Sequence, residues 1–350
     1  MMPVALAVPG LAPEQSARTL GSMPDTDRID YDEFGLFHEN VAEFGLDVPE
    51  LPPVRRVTSQ VGAGGDQRTV SALRWGTGEP DVVFVHGGSQ NAHTWDTVVL
   101  ALGRPALAID LPGHGHSDWR SDGAYSPVNL ADDLADVVAQ HAPVATAVVG
   151  MSLGGLTSME LAVRHEELVR TLVMVDITPG VNATKAKAVL DFVDGPQEFA
   201  SFEELLARTI EFNPTRSESS LRRGILHNAY QRPDGAWQWR YDRSSHARTR
   251  PAADAGSPES AESPDTSDHG DADAVTAMSP LWDDFGAVDC PLMLVRGSLS
   301  PVVDDDDVAE ARRRQPDLAL HVVDGAGHSV QGDRPVELAA LVAGWLDRHA

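Results

Sequence analysis

The sequence contains few residues of the types that mark disulfide-stabilised or membrane-spanning proteins. Its 350 residues include one cysteine, Cys290, and two lysines, Lys185 and Lys187. A single cysteine excludes an intramolecular disulfide and gives no indication of an oxidising compartment. Cys290 precedes a proline at the start of an apolar run, so we interpret it as a small buried apolar side chain. No apolar run has the length of a membrane-spanning helix, so membrane insertion is not expected.

Basic residues are also scarce relative to acidic ones. The chain has 27 Lys and Arg residues against 53 Asp and Glu residues, a net charge of −26. This charge disfavours binding to nucleic acid or to an anionic membrane surface by simple charge attraction. The N-terminal residues lack the basic start of a signal peptide, and a proline interrupts their apolar run. We therefore expect an acidic protein of the cytoplasm with no nucleic-acid partner.

Short apolar runs separated by turn residues predict most of the strands. They cover residues 54–61, 68–75, 81–85, 106–109, 168–175, 292–295 and 318–323. Helical apolar spacing follows several of them, as at about 128–142 and 335–345. Strands that alternate with helices indicate a parallel sheet covered on both faces.

A serine lies where one apolar strand pattern ends and a helical pattern begins, within residues 146–155. Ser152 has Gly150 and Gly154 two residues away on either side. A serine hydroxyl is a poor nucleophile unless a base takes its proton, so it must project from a sharp turn within reach of a histidine. The glycines allow strand and helix to approach at such a turn. The spacing predicts a nucleophilic Ser152, with a structural turn serine as the alternative.

Free backbone amides are expected after the strand at 81–85, where the chain turns at His86 and two glycines. Acyl transfer develops negative charge on a carbonyl oxygen, and prearranged donors around it are commonly the largest catalytic contribution. We expect the amides of Gly88 and Leu153, the residue after the nucleophile, to form an oxyanion hole. The alternative is an ordinary strand-to-helix loop. His86 itself is interpreted as a histidine that braces this loop.

Four segments resemble the landmarks of the α/β-hydrolase superfamily, in the superfamily's order, and the resemblance covers about residues 50–350. They are Phe84-Val85-His86-Gly87-Gly88, Asp110-Leu111-Pro112-Gly113-His114-Gly115-His116-Ser117, Gly150-Met151-Ser152-Leu153-Gly154-Gly155 and Gly325-Ala326-Gly327-His328. The resemblance implies an α/β fold with a mostly parallel eight-stranded sheet flanked by helices. It also implies a mainly helical cap inserted after strand six. His114 and His116 are interpreted as structural residues of a loop.

The resemblance assigns His328 as the base that accepts the proton of Ser152. The acid is less direct, because Ser300 stands where the superfamily usually has Gly-x-x-Asp after strand seven. Serine cannot hold a charged imidazolium as a carboxylate does. Asp176, at the end of strand six, and Asp304, at a predicted helix start, are the two candidates. We favour Asp176, because the pattern is similar to an esterase/thioesterase-like branch in which strand six supplies the acid.

The remaining segments suggest how the chain is divided. The expected division is a partly disordered N-terminal extension at 1–50, a core at 51–180 and 282–350, and a cap at 181–281 with a disordered acidic loop at 251–275. Apolar residues in 31–44 recur at helical spacing and predict a short helix that packs on the body. In the cap, Trp237, Trp239 and Tyr241 alternate onto one face of a predicted hairpin and are candidate substrate contacts.

These features together predict a serine hydrolase that cleaves a carboxylic ester or thioester of a small acyl substrate through an acyl-enzyme. No cofactor is needed for this chemistry, and no Cys/His cluster has a metal-ligand spacing. Two alternatives stay open. One is carbon–carbon bond hydrolysis by the same triad, and the other is a ligand sensor of the same fold with little turnover. Oligomeric state cannot be derived from the sequence.

Overall fold

The computed structural model describes residues 29–243 and 281–350. The disorder expected for the first residues and for the acidic loop 251–275 falls outside these ranges. Within them, no helix combines the length and the apolar content that crossing a bilayer would require.

Eight strands form the main sheet. They are β1 (Val54–Val61), β2 (Arg68–Trp75), β3 (Val82–Val85), β4 (Ala106–Ile109), β5 (Ala147–Met151), β6 (Leu172–Val175), β10 (Leu292–Gly297) and β11 (Ala319–Val323). Their order in the sheet is β1-β2-β4-β3-β5-β6-β10-β11. β2 is antiparallel to both of its neighbours, and all the pairs from β4 to β11 are parallel. The predicted mostly parallel eight-stranded sheet is therefore confirmed.

Helices cover both faces of the sheet. The described helices are α1 (Phe37–Phe44), α2 (Asp96–Leu102), α3 (Pro127–His141), α4 (Leu153–Arg164), α5 (Lys187–Val193), α6 (Phe202–Phe212), α7 (Glu218–Asn228), α8 (Leu281–Gly286), α9 (Asp305–Arg314), α10 (Val330–Asp333) and α11 (Pro335–His349). One face of the sheet packs with α3, α4, α8 and α9, and the other packs with α1, α2, α10 and α11.

The central strands β3 to β6 are buried along their whole length. In β3, Val83 and Val85 join the apolar cluster on one face, while Val82 and Phe84 join the cluster on the other. This alternation follows from the period of two in a strand, and it explains why the sequence shows continuous apolar runs here. Burying each of these larger side chains contributes roughly 1.5–3 kcal/mol.

After β6 the chain leaves the main sheet and returns to it at β10. The described part of this excursion holds α5, α6 and α7 and a small antiparallel sheet of β7 (Glu198–Phe199), β8 (Ala229–Gln231) and β9 (Trp237–Trp239), in the order β7-β9-β8. It has its own apolar cluster, which includes Leu205, Ile225 and Trp237. The assignment of 181–281 as a cap domain stays an interpretation.

Two predicted elements begin several residues later in the structure than predicted. α1 begins at Phe37, so Tyr31 and Phe34 lie in the segment before the helix instead of on its face. β6 begins at Leu172, because Glu166–Leu168 form a short 3-10 turn between α4 and the strand. In both cases apolar residues of the segment before the element continue its apolar spacing in the sequence, so the element is predicted to begin too early.

Candidate active site

Ser152 lies in the sharp turn between β5 and α4, with a positive φ of 52°. A side-chain carbon on Gly150 would lie 2.3 Å from the carbonyl oxygen of Gly154. A side-chain carbon on Gly154 would lie 2.3 Å from the carbonyl oxygen of His86. Both obstacles are backbone atoms that cannot move aside. The two glycines are therefore required for the close approach of strand and helix that exposes Ser152 at the turn.

Three side chains from distant parts of the sequence meet at the carboxyl ends of the parallel strands. His328 Nδ1 lies 2.7 Å from Asp176 Oδ2, and His328 Nε2 lies 3.1 Å from Ser152 Oγ. A carboxylate can only accept, so Nδ1 carries the proton and donates it to Asp176. In a neutral imidazole Nε2 is then an acceptor, and the Ser152 hydroxyl donates to it. The order of contacts is the one that a nucleophile, a base and an orienting acid require.

Asp176 follows β6 directly and is fully buried. Besides the contact with His328, its Oδ1 accepts a hydrogen bond of 2.9 Å from the amide of Gly297, and its Oδ2 accepts one from the hydroxyl of Ser300. With His328 Nδ1, these donors give the buried side chain of Asp176 three hydrogen-bond partners.

The rival acid, Asp304, has a different set of partners. It is the N-cap of α9, where its Oδ1 accepts from the amide of Asp307 at 2.9 Å. Its Oδ2 pairs with Lys185 Nζ at 2.9 Å. None of its contacts in the described structure is with His328. The helix start that the sequence predicted for this residue is therefore present, and the stabilising effect of a carboxylate at a helix N-terminus accounts for its position.

The two amides expected to form the oxyanion hole come from the loop after β3 and from the residue that follows the nucleophile. Leu153 is the first residue of α4, and Gly88 lines the same cavity as Ser152. Within residues 29–243 and 281–350, neither amide donates a hydrogen bond to another residue. The first amides of a helix have no partner inside the helix, which leaves that of Leu153 available to an oxygen of a ligand.

The histidines near the nucleophile brace loops. His86 is fully buried, and its Nε2 accepts from the amide of Leu111 at 2.9 Å while its Nδ1 donates to the carbonyl of Gly87 at 2.7 Å. His114 donates to the carbonyl of Pro112 at 3.1 Å, and burial lowers the pKa of His114 to about 3. Both rings are thus neutral, and each ties one turn of the loop in place.

A cavity of about 350 Å³ opens at Ser152 and His328 and extends under the segment that follows β6. Its apolar wall includes Phe192, Phe212 and Trp239. Of the three aromatic residues predicted to share one face of the hairpin, only Trp239 lines the cavity. Trp237 and Tyr241 are buried in the apolar cluster of this segment, so ordinary packing explains them.

Another part of the cavity wall holds a network of charged and polar groups that the sequence did not reveal. The rings of His93 and His227 are stacked at 3.8 Å with an angle of 9° between their planes. His93 lies between two carboxylates, with Nδ1 2.9 Å from Asp96 and Nε2 3.1 Å from Glu33. Burial opposes charge on this ring, but Asp96 and Glu33 outweigh it and raise the pKa of His93 to about 9. The hydroxyl of Tyr31 forms a hydrogen bond of 2.7 Å with Nδ1 of His227.

This network includes the one group of metal-ligand side chains found among the described residues, His93, Asp96 and His227. A histidine nitrogen binds a metal along a direction in the plane of its ring. Two rings that are nearly parallel and stacked cannot both point at one ion between them. Asp96 Oδ2 also already accepts from His93. The arrangement therefore fits a hydrogen-bonded ion pair better than a metal site.

Comparisons with known proteins agree with this architecture. The model of the Alpha/beta hydrolase family matches residues 82–341. The chain is 44% identical over 332 residues to Esterase Rv0045c of Mycobacterium tuberculosis, covering 93% of this chain and 99% of that protein. A solved structure of that esterase has a TM-score of 0.74 and 42% identity, covering 91% of this chain and 100% of the other.

A more distant relative is the 2-(acetamidomethylene)succinate hydrolase of Mesorhizobium japonicum. It is 27% identical over 282 residues, which cover 80% of this chain and 92% of that protein. The family model spans well over half of the sequence, and the esterase matches almost all of it. The chain belongs to the α/β-hydrolase family.

Proposed function

We propose that the protein is a serine hydrolase that cleaves a carboxylic ester or thioester through an acyl-enzyme. The observation that carries the proposal is the unbroken series of contacts from Ser152 through His328 to Asp176, opening onto a cavity. The 44% identity to an esterase over almost the whole chain supports it. A serine at the nucleophile turn does not fit epoxide hydrolysis or dehalogenation, for which related enzymes use a carboxylate.

In the proposed first half-reaction Ser152 Oγ attacks the carbonyl carbon while His328 Nε2 accepts the hydroxyl proton. The amides of Gly88 and Leu153 donate to the negative oxygen of the tetrahedral intermediate. His328 then passes its proton to the leaving oxygen or sulfur, and the acyl group stays on Ser152. Asp176 holds the imidazole in the required tautomer and stabilises it while it is charged.

In the second half-reaction a water molecule takes the place of the leaving group. His328 removes a proton from the water, and the resulting hydroxide attacks the acyl carbon. Collapse of the second intermediate releases the carboxylic acid and returns the proton to Ser152. Every step uses groups of this chain, its substrate and water.

The walls of the cavity indicate what kind of substrate it accepts. Val189, Phe192 and Phe212 form an apolar surface, while Asn213 and Arg216 line a polar region. Such a cavity favours a small ester or thioester with one apolar arm and one polar arm. We retain the cytoplasm as the proposed location, with no nucleic-acid partner.

The proposal is tested by steady-state hydrolysis of short-chain p-nitrophenyl esters and acyl thioesters. The panel also includes a vinylogous diketone, whose hydrolysis breaks a carbon–carbon bond. We expect ester and thioester turnover by the wild type and accumulation of an acyl adduct, seen by mass spectrometry, when the reaction is stopped early. Ser152→Ala should lose both. Turnover of the diketone alone would favour the carbon–carbon alternative, and saturable ligand binding without turnover would favour a sensor.

A further inference from the structure

Ser300 follows β10, which corresponds to the seventh strand of the superfamily, at the position where the superfamily usually has its acid. Here Ser300 contacts Asp176, the acid that follows β6. Its hydroxyl lies within hydrogen-bond distance of Asp176 Oδ2, the oxygen that also accepts from His328 Nδ1 at 2.7 Å. Ser300 is 6% exposed and Asp176 is fully buried, so water does not compete for this contact.

The direction of the hydrogen bond is fixed by a second contact. The amide of Val302 donates to Ser300 Oγ at 3.2 Å. A serine hydroxyl has one proton and two lone pairs. Since Val302 uses a lone pair and the carboxylate of Asp176 has no proton to give, the proton of Ser300 points at Asp176.

The same loop supplies the other donor to this carboxylate. Gly297, the last residue of β10, donates its amide to Asp176 Oδ1 at 2.9 Å. A side-chain carbon at Gly297 would lie 2.3 Å from the carbonyl oxygen of Gly327, next to His328. The end of β10 and the turn after it therefore donate hydrogen bonds to both oxygens of Asp176. They also pack against the loop that carries His328.

From these contacts we infer that Ser300 is a positioning residue of the triad. This inference rests on the proposed function. The Ser300 hydroxyl holds Asp176 Oδ2 in line with His328 Nδ1 and takes up part of the carboxylate charge. Asp176 itself has a positive φ of 52°, a backbone conformation that residues other than glycine rarely adopt. A serine at position 300 thus allows the neighbouring strand to supply the carboxylate.

The test compares Ser300→Val with Ser300→Thr, which have nearly the same shape and differ in the hydroxyl, together with Ser300→Ala. Each variant is checked for folding by circular dichroism and thermal unfolding. For a short-chain ester we expect Ser300→Val and Ser300→Ala to lower kcat about ten-fold or more, with KM within about two-fold of wild type. The acidic limb of their kcat/KM profiles should move to higher pH, because Asp176 then acts on the protonated imidazole with its full charge. Ser300→Thr should retain both the rate and the profile.

A readout without substrate separates this inference from the proposed function. The Nδ1–H proton of His328 should give a far-downfield proton NMR signal that is absent in His328→Ala. This signal should shift in Ser300→Val and Ser300→Ala and stay in place in Ser300→Thr. If all three folded variants keep the wild-type signal, kcat and pH profile, the positioning role is wrong, even though the enzyme hydrolyses esters. Suppose instead that the wild type hydrolyses no ester or thioester, and that the NMR signal still shifts as described. The proposed function then fails, and the positioning of His328 through Asp176 stands.

Discussion

Two buried acidic side chains in this protein differ in the number of hydrogen-bond donors around them. Asp176 is fully buried and accepts from an amide, a hydroxyl and an imidazole. Glu160, on α4, is 2% exposed, and its Oε1 has no hydrogen-bond partner among the described residues. Burial, together with the nearby Asp284, raises the pKa of Glu160 to about 7. Three donors compensate the burial of Asp176, whereas burial beside another acid favours the neutral form of Glu160.

This difference predicts a pH-dependent stability from Glu160. Because its folded pKa of about 7 lies above the ordinary glutamate pKa of 4.5, its contribution to stability is fully present below about pH 4.5 and is lost as the pH rises through 7. Glutamine has the shape of the neutral form and does not ionise. Glu160→Gln should therefore be more stable than wild type by about 1–3 kcal/mol at pH 8, and the difference should be much smaller at pH 5.

The measurement is urea unfolding of both proteins at the two pH values. The exposed Glu166→Gln, in the turn that follows α4, is the control and should change stability at neither pH. An equal effect of Glu160→Gln at pH 5 and pH 8 would contradict the account, since it would show that ionisation plays no part.

At the scale of elements, the turn between β5 and α4 depends on backbone packing. Gly154→Ala would place its new methyl group against the carbonyl oxygens of His86 and Val85, at 2.3 and 2.4 Å. We expect a loss of about 3 kcal/mol or more in unfolding free energy, with loss of ester hydrolysis, because the strand and helix must separate.

A glycine in an open helical position provides the matched control for this prediction. Gly224 lies inside α7, and a side-chain carbon there meets no atom within 4 Å. Gly224→Ala should stabilise the protein by about 0.5–1 kcal/mol, since alanine favours a helix. Thermal or urea unfolding of the two variants decides the point. If Gly154→Ala is as stable as Gly224→Ala, the turn is less tightly packed than described.

The strands and helices differ in how accurately their boundaries can be predicted from the sequence. The boundaries of β1 and β2 were predicted to the residue, and a glycine, Gly62 or Gly76, directly follows each run. α3 was predicted within about one residue, and its start is fixed by the cap at Ser126 and by Pro127. β7 is only two residues long and pairs with a strand almost forty positions later, so no local pattern could indicate it.

Those residues of the candidate site that lie in a short local motif could be predicted from the sequence. Ser152 and His328 follow from short glycine motifs, and the structure brings them together, although their catalytic roles stay predictions. The donation from Ser300 and the pairing of His93 with Glu33 were not predictable. These contacts join residues 124 and 60 positions apart, and only the packed fold brings them together.

At the scale of the whole molecule, the site depends on segments from every part of the described chain. The N-terminal segment contributes Tyr31 and Glu33 to the network beneath the cavity, and the segment after β6 supplies most of its apolar wall. The main sheet holds the reacting groups at the ends of its parallel strands. The N-terminal segment therefore supports the cavity through this network, and its Asn40 lines the cavity directly.

The central claim is that Ser152 is activated by His328 with Asp176 as its acid. The most direct measurement is the rate of labelling by an active-site-directed fluorophosphonate in the wild type, Asp176→Asn and Asp304→Asn, with Ser152→Ala as the blank. The account predicts labelling of the wild type, no labelling of Ser152→Ala, a rate at least about a hundred-fold lower in Asp176→Asn, and a nearly unchanged rate in Asp304→Asn. Slow labelling of Asp304→Asn with a normal rate in Asp176→Asn, or labelling that persists in Ser152→Ala, would contradict it.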